Sequence, residues 1–428
     1  MAGCTLPASI CGGWSRGWNR RWRPRRSRRS RSLNVLKPLA ALALLATTAA
    51  TPADDATYRA RFEAFMANPA QFDYSPMEAV PGAPKVRRLP ASRAPRIAAA
   101  ALDEAARYAQ ANRSSALLVW RDGKLEASRY FGATTRDTPL VAKSLAKPLT
   151  AIAIGRAIQL GKIKGLDQRI ADFIPELAGT PKAAILVRHL LDMRSGLLDQ
   201  GYSPDPEHPW NRAYLDPDHG AYIVRDYPLT DPPGTRYAYA NAPSELIAMV
   251  IERATGRRYA EFISNEVLAP LGAAGGEVWV NRPQGLAHSG CCIKLPAETW
   301  MKLAILLLDD GKVGGRTGGK RLLPAGYVRQ MRTGTPQNPN FGLGIWLGEP
   351  YRERRGFGAP GTAGPQVLHS AAYLDPEMFL FDGNSNQTVH ISPKHRLIVL
   401  RMGETPPKTP EWDNAKLPNL LIQGLGLR

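Results

Sequence analysis

The chain contains very little cysteine for its length. Four cysteines occur among 428 residues, and Cys4 and Cys11 fall within the first fifty. The other two, Cys291 and Cys292, are adjacent, and neighbouring cysteines rarely bridge each other because the geometry is strained. The sequence therefore excludes the disulfide framework that stabilises many small secreted domains. We expect Cys291 and Cys292 to be two small, buried hydrophobic side chains.

Metal-binding and nucleotide-binding motifs are also missing from the sequence. The seven histidines are scattered without HExxH spacing, and no CxxC pair accompanies them, so we predict no metal site. Residues 314–320 approach a phosphate-binding loop, but Arg321 stands where Ser or Thr is required, and the preceding residues are helix-like. We predict a glycine turn there and no cofactor. The chemistry must then come from ordinary side chains.

Positive charge is concentrated near the start of the chain. Residues 1–50 hold ten lysines and arginines and no acid, so the remaining residues carry +9 of the net charge of +19. The basic stretch, the short apolar run 38–46 and the small residues that follow are typical of a secretory signal. The run is too short to span a bilayer. We therefore predict that residues 1–50 are a signal peptide with a long basic n-region, cleaved near Ala50.

This prediction implies an exported bacterial protein, periplasmic or secreted. A basic nucleic-acid-binding arm is the alternative interpretation of residues 1–50, but such an arm would not need an apolar core followed by small residues. We expect no nucleic-acid partner and no stable membrane insertion after the signal is removed. The sequence leaves the oligomeric state open.

The rest of the chain shows alternating strand and helix patterns. Residues 51–95 are rich in proline and alanine and are expected to form an irregular N-terminal segment. Residues 96–112 predict an amphipathic helix, and residues 116–131 predict a β-hairpin with Asp-Gly at its tip. The remaining predicted elements are helices over 149–160, 184–193, 243–254 and 417–425, and strands over 378–381, 388–391 and 396–402.

Strand patterns thus precede and follow a long helical stretch. We predict an α/β fold of the α+β kind, in which an antiparallel sheet is built from both chain ends and flanked by helices, with a large all-helical insertion. The sheet domain would comprise residues 96–140 plus 335–428, and the helical domain residues 141–334.

Ser144 and Lys147 stand at the start of a strongly apolar segment. Residues 149–160 are mostly Ala, Ile and Leu, and a helix that is apolar nearly all round belongs in a protein interior. Because they are three apart, the two side chains share one face of a helix. Burial would lower the pKa of Lys147 and let it remove the proton of Ser144. The pattern indicates a nucleophile beside its base; the alternative is a serine N-cap followed by a solvated lysine.

Tyr239 and Asn241 form a second pair, after a Pro-Gly-Thr turn and before a predicted helix. Two residues apart at a loop-to-helix junction, both side chains can point into a cleft. A phenol there can relay protons, and an amide can hold a substrate carbonyl. The alternative for Asn241 is a helix cap.

Together these motifs resemble those of the serine β-lactamase-like family, which includes class C β-lactamases, DD-peptidases, related esterases and 6-aminohexanoate-dimer hydrolases. Residues 187–197 resemble the family's RHLLxHxSGL stretch, and residues 160–167 resemble its turn of glycine, a hydrophobic residue and Leu-Asp. The resemblance covers roughly residues 96–405. It implies a β-lactamase/transpeptidase-like fold.

The third motif of that family, usually Lys-Thr-Gly or His-x-Gly, is altered in this chain. Its best match is Phe381-Asp382-Gly383, which has no cation at the first position. The segment is more similar to the aminohexanoate-hydrolase branch, which argues against a substrate carboxylate contact of the lactamase kind. The resemblance implies that Asp382 and Gly383 bind substrate; the alternative for Asp382 is a turn residue.

The resemblance also implies a mechanism. Ser144 would attack an ester or amide carbonyl and form an acyl-enzyme, with Lys147 taking its proton. Tyr239 would pass the proton to the leaving group and later activate water, and Asn241 would position the acyl side chain. The backbone N–H groups of Ser144 and Asn384 would form the oxyanion hole.

We therefore predict an exported serine hydrolase of the carboxylesterase or amidase type, similar to the 6-aminohexanoate-dimer hydrolases and esterases. Its substrate would be a small ester, amide or peptide-like molecule. Two alternatives stay open: a β-lactamase or DD-peptidase that acts on peptidoglycan-type substrates, and a non-catalytic binding or sensor module on the same fold. The intact Ser144, Lys147, Tyr239 and Asn241 favour the enzyme.

Overall fold

An antiparallel sheet, assembled from strands near both ends of the chain, lies at the centre of the fold. The computed structural model describes residues 52–201, 203–315 and 317–426, so the predicted signal peptide at 1–50 lies outside the described residues. In chain order the strands are β1 (Met77–Gly82), β2 (Ser114–Arg121), β3 (Lys124–Tyr130), β4 (Pro139–Val141), β5 (Ala274–Trp279), β6 (Ile293–Pro296), β7 (Lys312–Val313), β8 (Lys320–Arg321), β9 (Trp346–Leu347), β10 (Arg354–Gly356), β11 (Gln366–Leu368), β12 (Phe379–Gly383), β13 (Gln387–Ser392) and β14 (Leu397–Gly403).

Helices cover both faces of this sheet. In chain order they are α1 (Pro52–Ala67), α2 (Ala99–Ala111), α3 (Ala146–Gln159), α4 (Val187–Leu191), α5 (Pro209–Leu215), α6 (His219–Arg225), α7 (Ala242–Thr255), α8 (Tyr259–Ile263), α9 (Ala269–Leu271), α10 (Ala297–Leu308), α11 (Tyr327–Met331) and α12 (Lys416–Gln423). The predicted helices over 243–254 and 417–425 correspond to α7 and α12. The helix predicted over 184–193 is present as the shorter α4.

The main sheet has six strands in the order β3-β2-β14-β13-β12-β9, and all neighbours are antiparallel. The predicted sheet from both chain ends is confirmed, because β2 and β3 join four strands from the C-terminal part. Asp122 and Gly123 have φ values of 43° and 94°, as a two-residue type I′ hairpin turn requires. Successive side chains of β2 point to opposite faces: Leu117 packs in the core beside α2 and α12, and Leu118 packs in the core beside α10.

A second sheet lies where the sequence predicted no strands. Its order is β1-β5-β6-β4. The prediction of an irregular segment over 51–95 is wrong, because β1 and the sixteen-residue helix α1 lie there. The aromatic side chains of α1 pack with Trp210 and Tyr214. Residues 141–334 are not all helical, since β5 and β6 also fall within them, and the division into a sheet domain and a helical domain remains a prediction.

The apolar helix α3 is buried, as its composition predicts. Eleven of its fourteen residues are buried, and it packs mainly against α7. Gly161 follows its C-terminus with a φ of 68°, which glycine adopts without strain. No helix in the described part of the chain is long and apolar enough to cross a membrane.

Gly155, in the middle of α3, packs against α11. A Cβ atom at this position would lie 2.6 Å from Cε1 of Tyr327, whose hydroxyl donates to the carbonyl of Ala151 at 2.7 Å. Glycine in a helix normally costs about 0.5–1 kcal/mol relative to alanine, but here an added methyl overpacks the core. We expect Gly155→Ala to lower the free energy of unfolding, measured by urea denaturation, by about 1–3 kcal/mol.

Gly165→Ala is the matched control, because a Cβ atom there meets nothing within 4 Å. This control should change the free energy of unfolding by no more than about 0.5 kcal/mol. A stabilising effect of Gly155→Ala would contradict the tight packing between α3 and α11.

Candidate active site

Ser144 lies at the entrance to α3, in a 3₁₀ turn formed by Lys143–Leu145. The turn follows β4, which is paired with β6, and the N–H of Ala142 donates to the carbonyl of Ile293 at 2.9 Å. The N-cap of α3 is Leu145, so the interpretation of Ser144 as a helix cap is wrong. The serine is partly exposed and lines a cleft.

The amine of Lys147 is buried behind Ser144. Only 2% of the residue is exposed, and Nζ lies 2.7 Å from Oδ1 of Asn241, 2.9 Å from the carbonyl oxygen of Gly290 and 3.2 Å from Oγ of Ser144. Burial lowers the pKa of Lys147 from its ordinary 10.5 to about 7, and a negative charge on Glu245 would oppose this shift. The interpretation of a solvated lysine is therefore wrong.

The partners of Nζ determine where its lone pair points. The carbonyl oxygens of Asn241 and Gly290 only accept hydrogen bonds, and a neutral amine has two N–H groups to donate to them. The lone pair then faces the third partner, the hydroxyl of Ser144. The geometry is that of a general base and the proton it would remove.

Tyr239 contacts Ser144 from the other side. Its phenol interacts with the hydroxyl of Ser144, and burial raises the pKa of the phenol, so the phenol keeps its proton at neutral pH. The ring lies between Trp346 and Phe357, at centroid distances of 6.1 and 5.7 Å. A protonated hydroxyl is therefore held beside the serine.

Asn241 immediately precedes α7. It occupies the N-cap position, but its side chain makes no capping hydrogen bond, so capping does not explain the amide. Oδ1 is occupied by Lys147, which leaves the amide N–H₂ as the group that could meet a substrate. The structure thus places Asn241 as a partner of the lysine, while its contact with an acyl side chain remains a prediction.

The end of β12 approaches the serine turn very closely. A Cβ atom at Gly383 would lie 2.9 Å from the carbonyl oxygen of Ala142 and 3.1 Å from the backbone nitrogen of Leu145, so a glycine is needed here. Asn384 follows directly, and both residues line the same cleft as Ser144. This placement is compatible with the predicted oxyanion hole, which remains a prediction.

Asp382 lies in β12, opposite Thr388 on β13, so the interpretation as a turn residue is wrong. Its carboxylate accepts a hydrogen bond from Arg355 of β10, and the guanidinium lies 4.7 Å from the centroid of Trp346. Burial raises the pKa of Asp382, and the charge of Arg355 opposes the shift. The ion pair adds no net charge to the cleft.

The cleft has a volume of about 330 Å³. Its far wall includes residues of β10 and β11, and neither strand carries a recognisable sequence motif. The lining residues that the sequence did not single out include Gln200, Trp346, Arg355, Phe357 and Gln366.

Cys291 and Cys292 form a disulfide bond. The prediction that both are buried is confirmed, since they are 4% and 0% exposed, but the prediction that they do not bridge is wrong. The pair directly follows Gly290, whose carbonyl holds Lys147. The two sulfurs lie 3.6 and 3.3 Å from the hydroxyl of Tyr214, so the disulfide packs behind the lysine site.

Comparison with known families identifies the family of this chain. The family model described as Beta-lactamase matches residues 94–420, which is most of the chain. The protein therefore belongs to the β-lactamase family of serine hydrolases, and both the resemblance in the sequence and the fold class are confirmed.

Individual relatives are distant. The chain is 25% identical over 236 residues to the 6-aminohexanoate-dimer hydrolase of Paenarthrobacter ureafaciens, a match that covers 52% of this chain and 57% of the relative. It is 25% identical over 172 residues to a protein of Escherichia coli (strain K12) assigned as a D-alanyl-D-alanine carboxypeptidase, with coverage of 36% and 39%. The chain thus spans about half the length, or less, of these curated relatives.

A solved structure from Bacillus anthracis, assigned as a 6-aminohexanoate-dimer hydrolase, has a similar fold. The TM-score is 0.63 at 19% identity, and the alignment covers 86% of this chain and 93% of that one. At this identity the likeness supports the fold alone.

The buried amine of Lys147 should make stability depend on pH. The folded-state pKa is about 7, against an ordinary value of 10.5, so between these pH values the unfolded chain binds one proton more. We expect the free energy of unfolding of the wild type, relative to Lys147→Met, to rise by up to about 1.4 kcal/mol per pH unit in this window. Urea denaturation at several pH values measures it, and a flat difference would mean that the amine is not desolvated.

Proposed function

We propose that this protein is a serine hydrolase that cleaves an ester or amide bond through an acyl-enzyme on Ser144. The observation that carries the proposal is the buried amine of Lys147, whose two carbonyl partners leave its lone pair facing the serine hydroxyl. Burying a lysine costs free energy, so an apolar side chain at this position would stabilise the fold more than Lys147 does.

Acylation would begin with proton transfer from Oγ of Ser144 to Nζ of Lys147. Oγ then attacks the substrate carbonyl carbon, and the carbonyl oxygen becomes an oxyanion. The N–H groups of Ser144 and Asn384 are the proposed donors to that oxygen, each worth about 2.7–4 kcal/mol in such sites. As the intermediate collapses, Tyr239 gives its proton to the leaving oxygen or nitrogen and regains one from the ammonium of Lys147.

Deacylation would follow the same path in reverse. Water enters in place of the leaving group and donates a proton through the hydroxyl of Tyr239 to the neutral Lys147. The hydroxide attacks the acyl carbon, the bond to Oγ breaks, and Ser144 regains its proton from Lys147. Because burial keeps Tyr239 protonated, its role is to relay protons, and Lys147 is the base.

The cleft favours a small ester, amide or peptide-like substrate. Its volume is about 330 Å³, and the charges of Arg355 and Asp382 neutralise each other. The described residues that line the cleft include no unpaired cation, which gives little advantage to an anionic lactam and supports an activity like that of the esterases and 6-aminohexanoate-dimer hydrolases. The curated relative with the latter name supports the same choice.

A second candidate is a DD-peptidase or β-lactamase acting on peptidoglycan-type substrates, which the Escherichia coli relative supports. Hydrolysis of a cephalosporin or a D-alanyl-D-alanine peptide, with no hydrolysis of short-chain esters, would favour this candidate.

Residues 1–50 support the further proposal that the enzyme is exported. Cell fractionation, with N-terminal sequencing of the mature protein, tests the export.

Ser144 should carry the acyl group. We expect a fluorophosphonate to add one adduct by intact-mass spectrometry, and p-nitrophenyl butyrate to be hydrolysed. Ser144→Ala should abolish the adduct and lower kcat by at least about 10³-fold, as expected for loss of a nucleophile. Ser385→Ala, which removes another hydroxyl from the same cleft, should still take up one adduct. Labelling that survives in Ser144→Ala would refute the proposal and leave a binding module on this fold.

The pH profile should report Lys147 as the base. We expect kcat/KM for the ester to rise with pH through an apparent pKa of about 7, because only the neutral amine accepts a proton. The raised pKa of Tyr239 predicts a plateau above that point instead of a bell. Tyr239→Phe should lower kcat by about 10²–10⁴-fold and keep the acid limb where it is. If the apparent pKa of the acid limb changes in Tyr239→Phe, Tyr239 would be the base in place of Lys147.

A further inference from the structure

A sealed group of ionisable side chains lies behind Lys147, outside the cleft. Glu245 of α7 is 1% exposed, His219 of α6 is 1% exposed and His288 is 0% exposed. One nitrogen or oxygen atom from each side chain lies within 4.8 Å of its counterparts on the other two. The proposed reaction uses none of these three side chains.

Glu245 supports the residue that holds the lysine. Its Oε2 accepts a hydrogen bond from the N–H of Gly290 at 3.3 Å, and the carbonyl of Gly290 accepts from Lys147 at 2.9 Å. A Cβ atom on Gly290 would lie 3.0 Å from Oε1 of Glu245, so the backbone rests directly on the carboxyl group. Ser289 fixes the same segment to α7, since its hydroxyl donates to the carbonyl of Ser244 at 2.6 Å.

The three side chains do not suit a metal ion. The rings of His219 and His288 stack at a centroid distance of 4.0 Å, with planes 12° from parallel. A histidine binds zinc in the plane of its ring, at about 2.0–2.1 Å, and two nearly parallel planes this far apart share no such point. Nδ1 of His219 also faces the amide nitrogen of Asn281 at 3.4 Å, a nitrogen that donates to two backbone carbonyls.

Neither histidine beside Glu245 carries a charge that would stabilise a carboxylate. Burial lowers the pKa of both histidines well below its ordinary value, so both rings are neutral. The phenols of Tyr214 and Tyr259 face the carboxyl group from α5 and α8, and burial raises the pKa of each.

Two arginines near this group also favour the neutral form of the histidines. Arg61 of α1 acts on both histidines and Arg282 acts on His219, and each further lowers the histidine pKa. Besides the two neutral histidines, Lys147 is a group that acts on Glu245 and could carry a compensating charge. A carboxylate on Glu245 would require an ammonium on Lys147.

The geometry accommodates the undissociated acid without any charge. Oε1 of Glu245 lies 3.4 Å from Nδ1 of the neutral His288, so an O–H on Oε1 has an acceptor. Oε2 then acts as the carbonyl oxygen that accepts from Gly290. The ionised form could accept at Oε1 from the Nδ1–H tautomer of neutral His288, but that bond would leave its negative charge uncompensated.

We propose that Glu245 is a positioning residue which keeps its proton in the resting enzyme, donates it in a hydrogen bond to His288, and holds Gly290 against Lys147. One proton is then shared between two buried groups, and its place on Glu245 leaves the amine free to act as a base. An ionised Glu245 would draw the proton onto Lys147 and disable the base. The expected effect of Glu245 on activity rests on the proposed function, whereas its protonation does not.

Infrared difference spectroscopy tests the protonation directly. Burial raises the pKa of Glu245, and we expect the wild type to show the carbonyl stretch of a buried carboxylic acid both at pH 6 and at pH 8, where the amine of Lys147 is neutral and the enzyme is active. Glu245→Gln should remove the band. Glu298→Gln should leave it, because Glu298 is an equally buried carboxylate paired with Arg136 at 2.5 Å. A wild type without this band would overturn the proposal, whether or not Ser144 is a working nucleophile.

Activity of the same variants gives the second readout. Gln mimics the protonated acid, since its N–H₂ can donate to His288 and its oxygen can accept from Gly290. We expect Glu245→Gln to keep kcat/KM within about threefold of wild type, and Glu245→Ala to lose at least about tenfold, because the support of Gly290 is gone. Equal losses in both variants, or an acid limb shifted down by a full pH unit in Glu245→Gln, would show an ionised Glu245 and overturn the proposal.

Discussion

The burial of one amine constrains the arrangement of the whole site. Lys147 must lose its hydration to become a base near neutral pH, yet each buried N–H left without an acceptor costs about 1–3 kcal/mol. Uncharged acceptors satisfy both needs, and they come from Asn241 and Gly290. These residues lie 94 and 143 positions away along the chain. The lysine therefore joins α3, α7 and the segment before β6, and the layers around them hold these three pieces in register.

The same constraint explains where the chain needs glycine near the site. Backbone groups must approach the start of α3 more closely than side chains permit. A Cβ atom on Gly344 would lie 2.9 Å from the carbonyl oxygen of Lys147, and its φ of 70° also favours glycine. Gly383 brings β12 to the serine turn, and Gly290 rests on Glu245. Three separate backbone segments thus close around the serine and the lysine from different sides.

Local spacing made much of the site predictable from sequence. Ser144 and Lys147 are one helical turn apart, and Tyr239 and Asn241 flank one loop-to-helix junction, so each pair is set by its own segment. The apolar composition of α3 predicted its burial. The partners of Lys147 from other segments could not be predicted, because they depend on tertiary contacts. The chain gives no signal for the arrangement of Gly290 over Glu245, or for the pairing of Arg355 with Asp382 across the cleft.

The errors in the fold have a similar cause. Residues 51–95 lack a clear apolar period and are interrupted by prolines, yet α1 is stabilised by aromatic contacts with α5, which lies about 150 residues later. The strands β5 and β6 are short, and β1 and β4 complete their sheet from distant parts of the chain. Tertiary packing, not local propensity, decides these elements. Bridges between adjacent cysteines are rare in general, which argues against a disulfide between Cys291 and Cys292. That rarity carries no information about this particular turn.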